Sequence, residues 1–168
     1  MSPREFGCRT VGCGLAMLLV LSFFAVMANV ANTSLRDAVK KRAAVDAERD
    51  LPLLHAGVLK FAAARGALPP LEGPGPLKDA LYPAYVADEQ VFLNLRDRKA
   101  YLPNPALSGK TLAQAKKALP PEKAALLYEA SPDALGLRRV LVLDGSVRQV
   151  YTADWEAFRK AAKLDAAP

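Results

Sequence analysis

Residues 10–35 (TVGCGLAMLLVLSFFAVMANVANTSL) carry no charged side chain, and Arg9 and Arg36 close the run at its two ends. A helix needs about 20 apolar residues, each rising about 1.5 Å, to cross a hydrocarbon core of about 30 Å, and this run meets that length. Leu15, Leu18, Leu19, Leu21, Phe23, Phe24 and Val26 each favour insertion by roughly 0.3–0.6 kcal/mol, which together outweighs Gly12, Gly14 and Asn29. The run therefore reads as a transmembrane helix that tethers the rest of the chain to a lipid bilayer. A secretory signal cut after Ala28 is the competing reading, although the apolar stretch exceeds the usual length of about 7–15 residues. A lipoprotein signal fits less well, because Cys13 stands at the start of the run and not after it.

What remains is enough for one small domain. The divisions that follow are a flank or leader at residues 1–9, the span at 10–35, a helical extension at 36–66 and a small domain at 67–168. The chain holds 23 Lys+Arg against 17 Asp+Glu, but the basic residues are scattered and Lys40-Lys41-Arg42 is their one cluster. With little aromatic interleaving, that pattern does not indicate a nucleic-acid face, and attraction to lipid headgroups accounts for the juxtamembrane positions. Both cysteines, Cys8 and Cys13, lie before or inside the span, so the outer part needs neither a disulfide nor an oxidising compartment. Arg4 and Arg9 precede the span, whereas Arg36, Lys40, Lys41, Arg42 and Arg49 follow it; the positive-inside rule then places the C-terminal part in the cytoplasm.

Helical spacing continues beyond the span. Leu35, Ala38, Val39, Arg42 and Val45 recur with that period from Asn32 onward, with Ser34 as a cap if the helix restarts there. Pro52 either kinks this helix near Glu48 or opens a new one capped by Asp50. Leu51, Leu54, Val58, Phe61 and Ala62 form an apolar stripe that Gly66 ends. Residues 67–76 (ALPPLEGPGP) form a turn-rich linker. Residues 77–85 read as a short helix, 89–95 as a short strand, 100–102 as another that Pro103 and Pro105 end, 111–119 as a helix capped by Thr111, and 124–129 as a buried strand. The sequence VLVLDGSVRQV predicts an antiparallel hairpin centred on Asp144-Gly145, since a tight turn needs positive φ. Thr152 then caps a final helix, with Trp155, Phe158 and Ala162 facing inward.

Chemistry is sparse. The single histidine, His55, lies among Leu53, Leu54 and Val58 with Leu59 where a partnering carboxylate would stand, and it reads as structural. Glu129, Asp133 and Asp144 are the carboxylates that could gather, although Asp144 is accounted for by the turn. Gly73 and Gly75 alternate with prolines, which removes the donors of a phosphate loop, and Ser108-Gly109-Lys110 reads as a loop before a helix cap. Asn32-Thr33-Ser34 matches a glycosylation triplet but abuts the membrane. Gly12 and Ala16 form a small-xxx-small pair of the kind that lets membrane helices approach. No catalytic residue, metal ligand or cofactor site is expected, and no nucleic-acid partner.

The succession of parts is informative. A span is followed by LPLLHAGVLKFAAARGALPPL, then LYPAYVADEQVF, then YLPNPALSGKTL, and finally by a strand-Asp-Gly-strand hairpin and a Trp-bearing helix. In this order, from about residue 46 to 158, the chain resembles type IV pilin-like and type II secretion pseudopilin-like proteins, in particular the subgroup with a C-terminal His-x9-Asp-Gly signature. The resemblance implies an α+β fold with a long N-terminal helix, transmembrane and then exposed, packed on a small antiparallel sheet, with a C-terminal helix. It implies a non-enzymatic structural or accessory subunit, with other pilin-like subunits and secretion or pilus assembly proteins as partners. It also implies a bacterial cytoplasmic membrane with the domain on the periplasmic side, against the positive-inside count. The processing site would fall between Gly7 and Cys8, with Arg9 in place of an uncharged residue. Gly12 then stands where the family has a glutamate, and Ala134 where the signature has its histidine; Asp144-Gly145 is the half that remains. Those departures are what a membrane-tethered binding or sensory module on the same scaffold would show.

Overall fold

Leu51, Leu54, Val58 and Ala62 share one stripe of a 3.6-residue period, and the core condenses around them. The computed structural model describes residues 6–120 and 123–165, with side chains of the first helix described at 21–35, 38 and 49–65. That helix, α1, is assigned to Phe6–Arg65, and the chain divides into two compact units, residues 1–42 and 43–168.

In the first unit the described large apolar side chains, among them Leu21, Phe23, Phe24, Val26 and Met27, are all exposed. Among the described residues no helix is long and apolar enough to cross a membrane. The side chains of residues 10–20, the first part of the expected span, lie outside the described ones, and so do positions Gly7, Cys8, Gly12 and Ala16.

The second unit is α+β. Pro52 lies inside α1 and does not open a second helix; Asp50, expected as a cap, is buried and held by Arg49, whose Nε lies 2.9 Å from Oδ1. The helix ends where Gly66 donates its N–H to the Ala62 carbonyl. Gly57 sits where α1 passes Tyr85 and Val86: a Cβ there would come within 2.4 Å of Val86 Cγ2, so only glycine admits this approach. Helix α2 (Pro74–Leu81) starts earlier than the expected 77–85, with its first proline in the opening turn. The missing N–H of a proline costs nothing in a first turn, so part of the expected linker is helical.

The sheet is a four-stranded antiparallel meander in the order β1 (Leu102–Pro103), β2 (Ala125–Tyr128), β3 (Leu137–Val142) and β4 (Val147–Tyr151). Pro103, expected to stop the strand, is its last paired residue, opposite Leu127, a place that an edge strand allows. The strand expected at 89–95 is instead a 3-10 turn, Glu89–Phe92, because the Asp88 carboxylate accepts the N–H of Gln90; Leu93 keeps a single bridge to Ala100. Helix α3 (Leu112–Ala118) has the expected Thr111 cap, completed as a capping box by Gln114. Helix α4 (Thr152–Ala161) has no side-chain cap. Thr152, expected in that role, spends its hydroxyl on the Gly136 carbonyl at 2.8 Å and so ties α4 to the loop before β3.

Both faces of the sheet are covered. Leu126, Leu127, Leu141 and Leu143 join the α1 stripe on one side, while Ala125, Val140 and Val150 meet Trp155 of α4 and Ala162, which follows it, on the other. A register shift between Ala125 and Leu127 sends two consecutive leucines into the same core, as a bulge does.

Candidate functional site

Two polar clusters punctuate this apolar frame. The first is where α1 meets the β3–β4 hairpin. The turn is closed by Gly145 N–H on the Val142 carbonyl and Val142 N–H on the Ser146 carbonyl, each 2.9 Å, with Gly145 at φ +91°. The positive φ therefore belongs to Gly145 alone, in a three-residue loop with a glycine bulge, and Asp144 needs none. The Asp144 carboxylate accepts the Ser146 hydroxyl at 2.6 Å and its N–H at 2.8 Å. These bonds hold its pKa below the ordinary 3.8.

His55 lies against this turn. Its Nε2 is 3.1 Å from the Leu143 carbonyl oxygen, and since a carbonyl only accepts, that nitrogen carries the proton. The ring lies so close to Gly145 that a Cβ there would stand 2.8 Å from Cε1. The histidine of α1 and the Asp-Gly turn, 88 residues apart for the bonded pair, thus form one junction. It is a clip between helix and sheet.

The second cluster surrounds Glu129, which is 1% exposed. Its Oε1 accepts from Asn94 Nδ2 at 2.8 Å and lies 3.3 Å from Arg139 Nη1, while Oε2 accepts the Arg139 backbone N–H at 2.9 Å. Arg96 adds Nη1 at 3.7 Å from Oε2 and donates Nη2 to the Ser131 carbonyl at 2.7 Å. Tyr101 is buried beside this group; desolvation first, then the charges of Glu129 and Asp50, push its phenol up, so the hydroxyl stays protonated. On the opposite face Arg138 stacks over Trp155, its guanidinium carbon 4.4 Å from the ring centroid.

The three carboxylates singled out in the sequence do not converge. Glu129 is enclosed by arginines, Asp133 accepts the N–H groups of Leu135 and Leu137, and Asp144 stays in its turn. Ser108 and Lys110 are likewise occupied locally, by Leu71, Glu72 and the Ala106 carbonyl. Thr33 donates to the Val30 carbonyl within α1. Among the described residues no three His, Cys, Asp or Glu side chains gather to hold a metal ion. The sequence reading missed the Glu129 cluster; its available signal was charge inside apolar strands, at the end of AALLYE and the start of LRRVLV.

No family model, no curated protein and no solved structure matches this chain.

Proposed function

We propose that the chain is a membrane-anchored, non-enzymatic accessory subunit of a pilin-like or type II secretion-like assembly, with residues 10–35 in the bacterial cytoplasmic membrane and the outer unit on its periplasmic side. The observation that carries this reading is the contrast along α1. Residues 21–35 present apolar side chains that nothing in the described structure covers, whereas Leu51, Leu54 and Val58 are fully enclosed in a core to which the antiparallel sheet contributes. Apolar side chains left exposed along a helix are available to lipid or to other helices. The enclosed Glu129 and the main-chain-bound His55 support a structural role over a catalytic one.

Gly12 removes the charge that, by the resemblance, orders subunits in a filament, so self-polymerisation is weak and an initiating or accessory position follows. The test is crosslinking in membranes with Cys8 and Cys13 replaced and single cysteines at Ala16 or Val20. Crosslinks to a different pilin-like protein support the accessory role, and long homopolymer ladders overturn it. The absence of any crosslink, together with capture of a soluble ligand by the outer unit, favours the tethered binding module that the loss of the family glutamate and histidine also suits.

A further inference from the structure

Strand β4 ends the sheet, and among the described residues it pairs with β3 alone. Two hydrogen bonds set the phase of that pairing: Val142 N–H to the Ser146 carbonyl at 2.9 Å and Thr152 N–H to the Gly136 carbonyl at 2.7 Å. In an antiparallel ladder the bonded pairs alternate, so Arg148 and Val150 bond to their β3 partners Val140 and Arg138. The N–H and C=O groups of Val147, Gln149 and Tyr151 therefore point outward. At the same end Tyr151 is 59% exposed and Leu135 78% exposed, placed together because Leu135 precedes the glycine that bonds Thr152. Proteins blunt such an edge with prolines, bulges or several charges, and between Val147 and Tyr151 the one charge is Arg148.

We propose that this edge pairs antiparallel with β4 of a second copy of the chain, about a two-fold axis through Gln149. The register is what commits the edge to a second copy. In it Gln149 faces Gln149, and a carboxamide, donor and acceptor at once, complements itself. Tyr151 faces Val147 of the other copy, an aromatic on a β-branched residue, and Arg148 faces Val150 and not another arginine. The six open main-chain groups of each strand find partners in the same step. This contact lies in the outer unit and does not require the membrane reading.

The experiment uses the full chain in detergent, with Cys8 and Cys13 replaced by serine. Gln149→Lys and Gln149→Glu each set like charges across the axis and are expected to weaken dimerisation about five-fold or more, while an equimolar mixture of the two restores it. Gln149→Cys is expected to form a disulfide dimer on mild oxidation, and Ser146→Cys, out of register with itself, is not. A chain that is monomeric at every concentration, a mixture that fails to recover, or equal crosslinking at positions 146 and 149 overturns the proposal. So does capture of an extended segment of a different protein at this edge without self-association.

Discussion

At the residue scale, Gly145 is constrained twice, by its φ of +91° and by the imidazole that occupies the place of a Cβ. Gly145→Val is expected to destabilise the outer unit by about 1–3 kcal/mol from backbone strain alone, with the collision added. The two causes separate in a cycle: Gly145→Ala should cost less in a His55→Ala background, because the collision disappears and the strain remains. Denaturant unfolding of the four proteins checks this, and equal costs in both backgrounds would mean that the ring moves aside freely. Glu129→Ala leaves the buried Arg139 and the partly buried Arg96 without their counter-charge, and about 3–5 kcal/mol of stability should be lost in the same assay. Asp144 supplies a pH dependence. Its pKa is depressed in the fold by the Ser146 hydroxyl and N–H, so its contribution is present above the ordinary value of 3.8 and is lost as pH falls through the lower folded value. Asp144→Asn should therefore lower the thermal midpoint relative to the parent at pH 6, and the difference should close as the pH is taken below that window. A difference constant with pH would show that the carboxylate is not what the turn uses.

At the element scale, helix α3 rests on a reciprocal cap, with Thr111 Oγ1 accepting the Gln114 N–H and Gln114 Oε1 accepting the Thr111 N–H. Thr111→Ala should cost about 1 kcal/mol, measured by the same unfolding. This cap, the α1 stripe, the buried strand at β2 and the β3–β4 hairpin were legible in the sequence because each is written within a few neighbouring residues. Other elements were not. Residues 89–95 have the composition of a strand, yet a carboxylate one residue upstream takes the Gln90 amide and closes a 3-10 turn; the Asp88 to Gln90 spacing was the overlooked signal. Thr152 looked like a cap because it opens the helix, but the competing acceptor, Gly136, lies sixteen residues away and could not be foreseen. The runs AALLY and VLVL lack the two-residue alternation of a half-buried sheet because both faces are covered, and so they concealed the side on which each residue lies. The Glu129 cluster joins positions 35 and 10 residues apart, and the His55 junction positions 88 apart, so neither pairing could be read from spacing. The histidine was singled out in the sequence, without its partner.

At the scale of the whole molecule, every buried apolar side chain among the described residues lies between Leu51 and Leu164, and none belongs to residues 1–42. The division between the two units falls at Arg42 and Ala43, inside the range of α1 and upstream of its stripe. If the fold draws its stability from that enclosed core, a fragment of residues 43–168 should fold alone, since among the described residues the deletion removes no buried side chain and cuts no strand pairing. Its thermal midpoint should lie within a few degrees of that of the full chain in the same detergent, where a lost core leucine would shift it by about 10 °C or more. The same pair of proteins tests the anchor. The full chain should stay with membranes after alkaline carbonate extraction, and the fragment, without the uncharged run, should be recovered in the supernatant. The outcomes are independent. A fragment with no cooperative transition would mean that residues 1–42 carry stability that the described core does not account for, whereas a full chain released by carbonate, or one that begins at Asn29 when its mass is measured, would replace the anchor by a cleaved signal and leave the outer unit to act untethered.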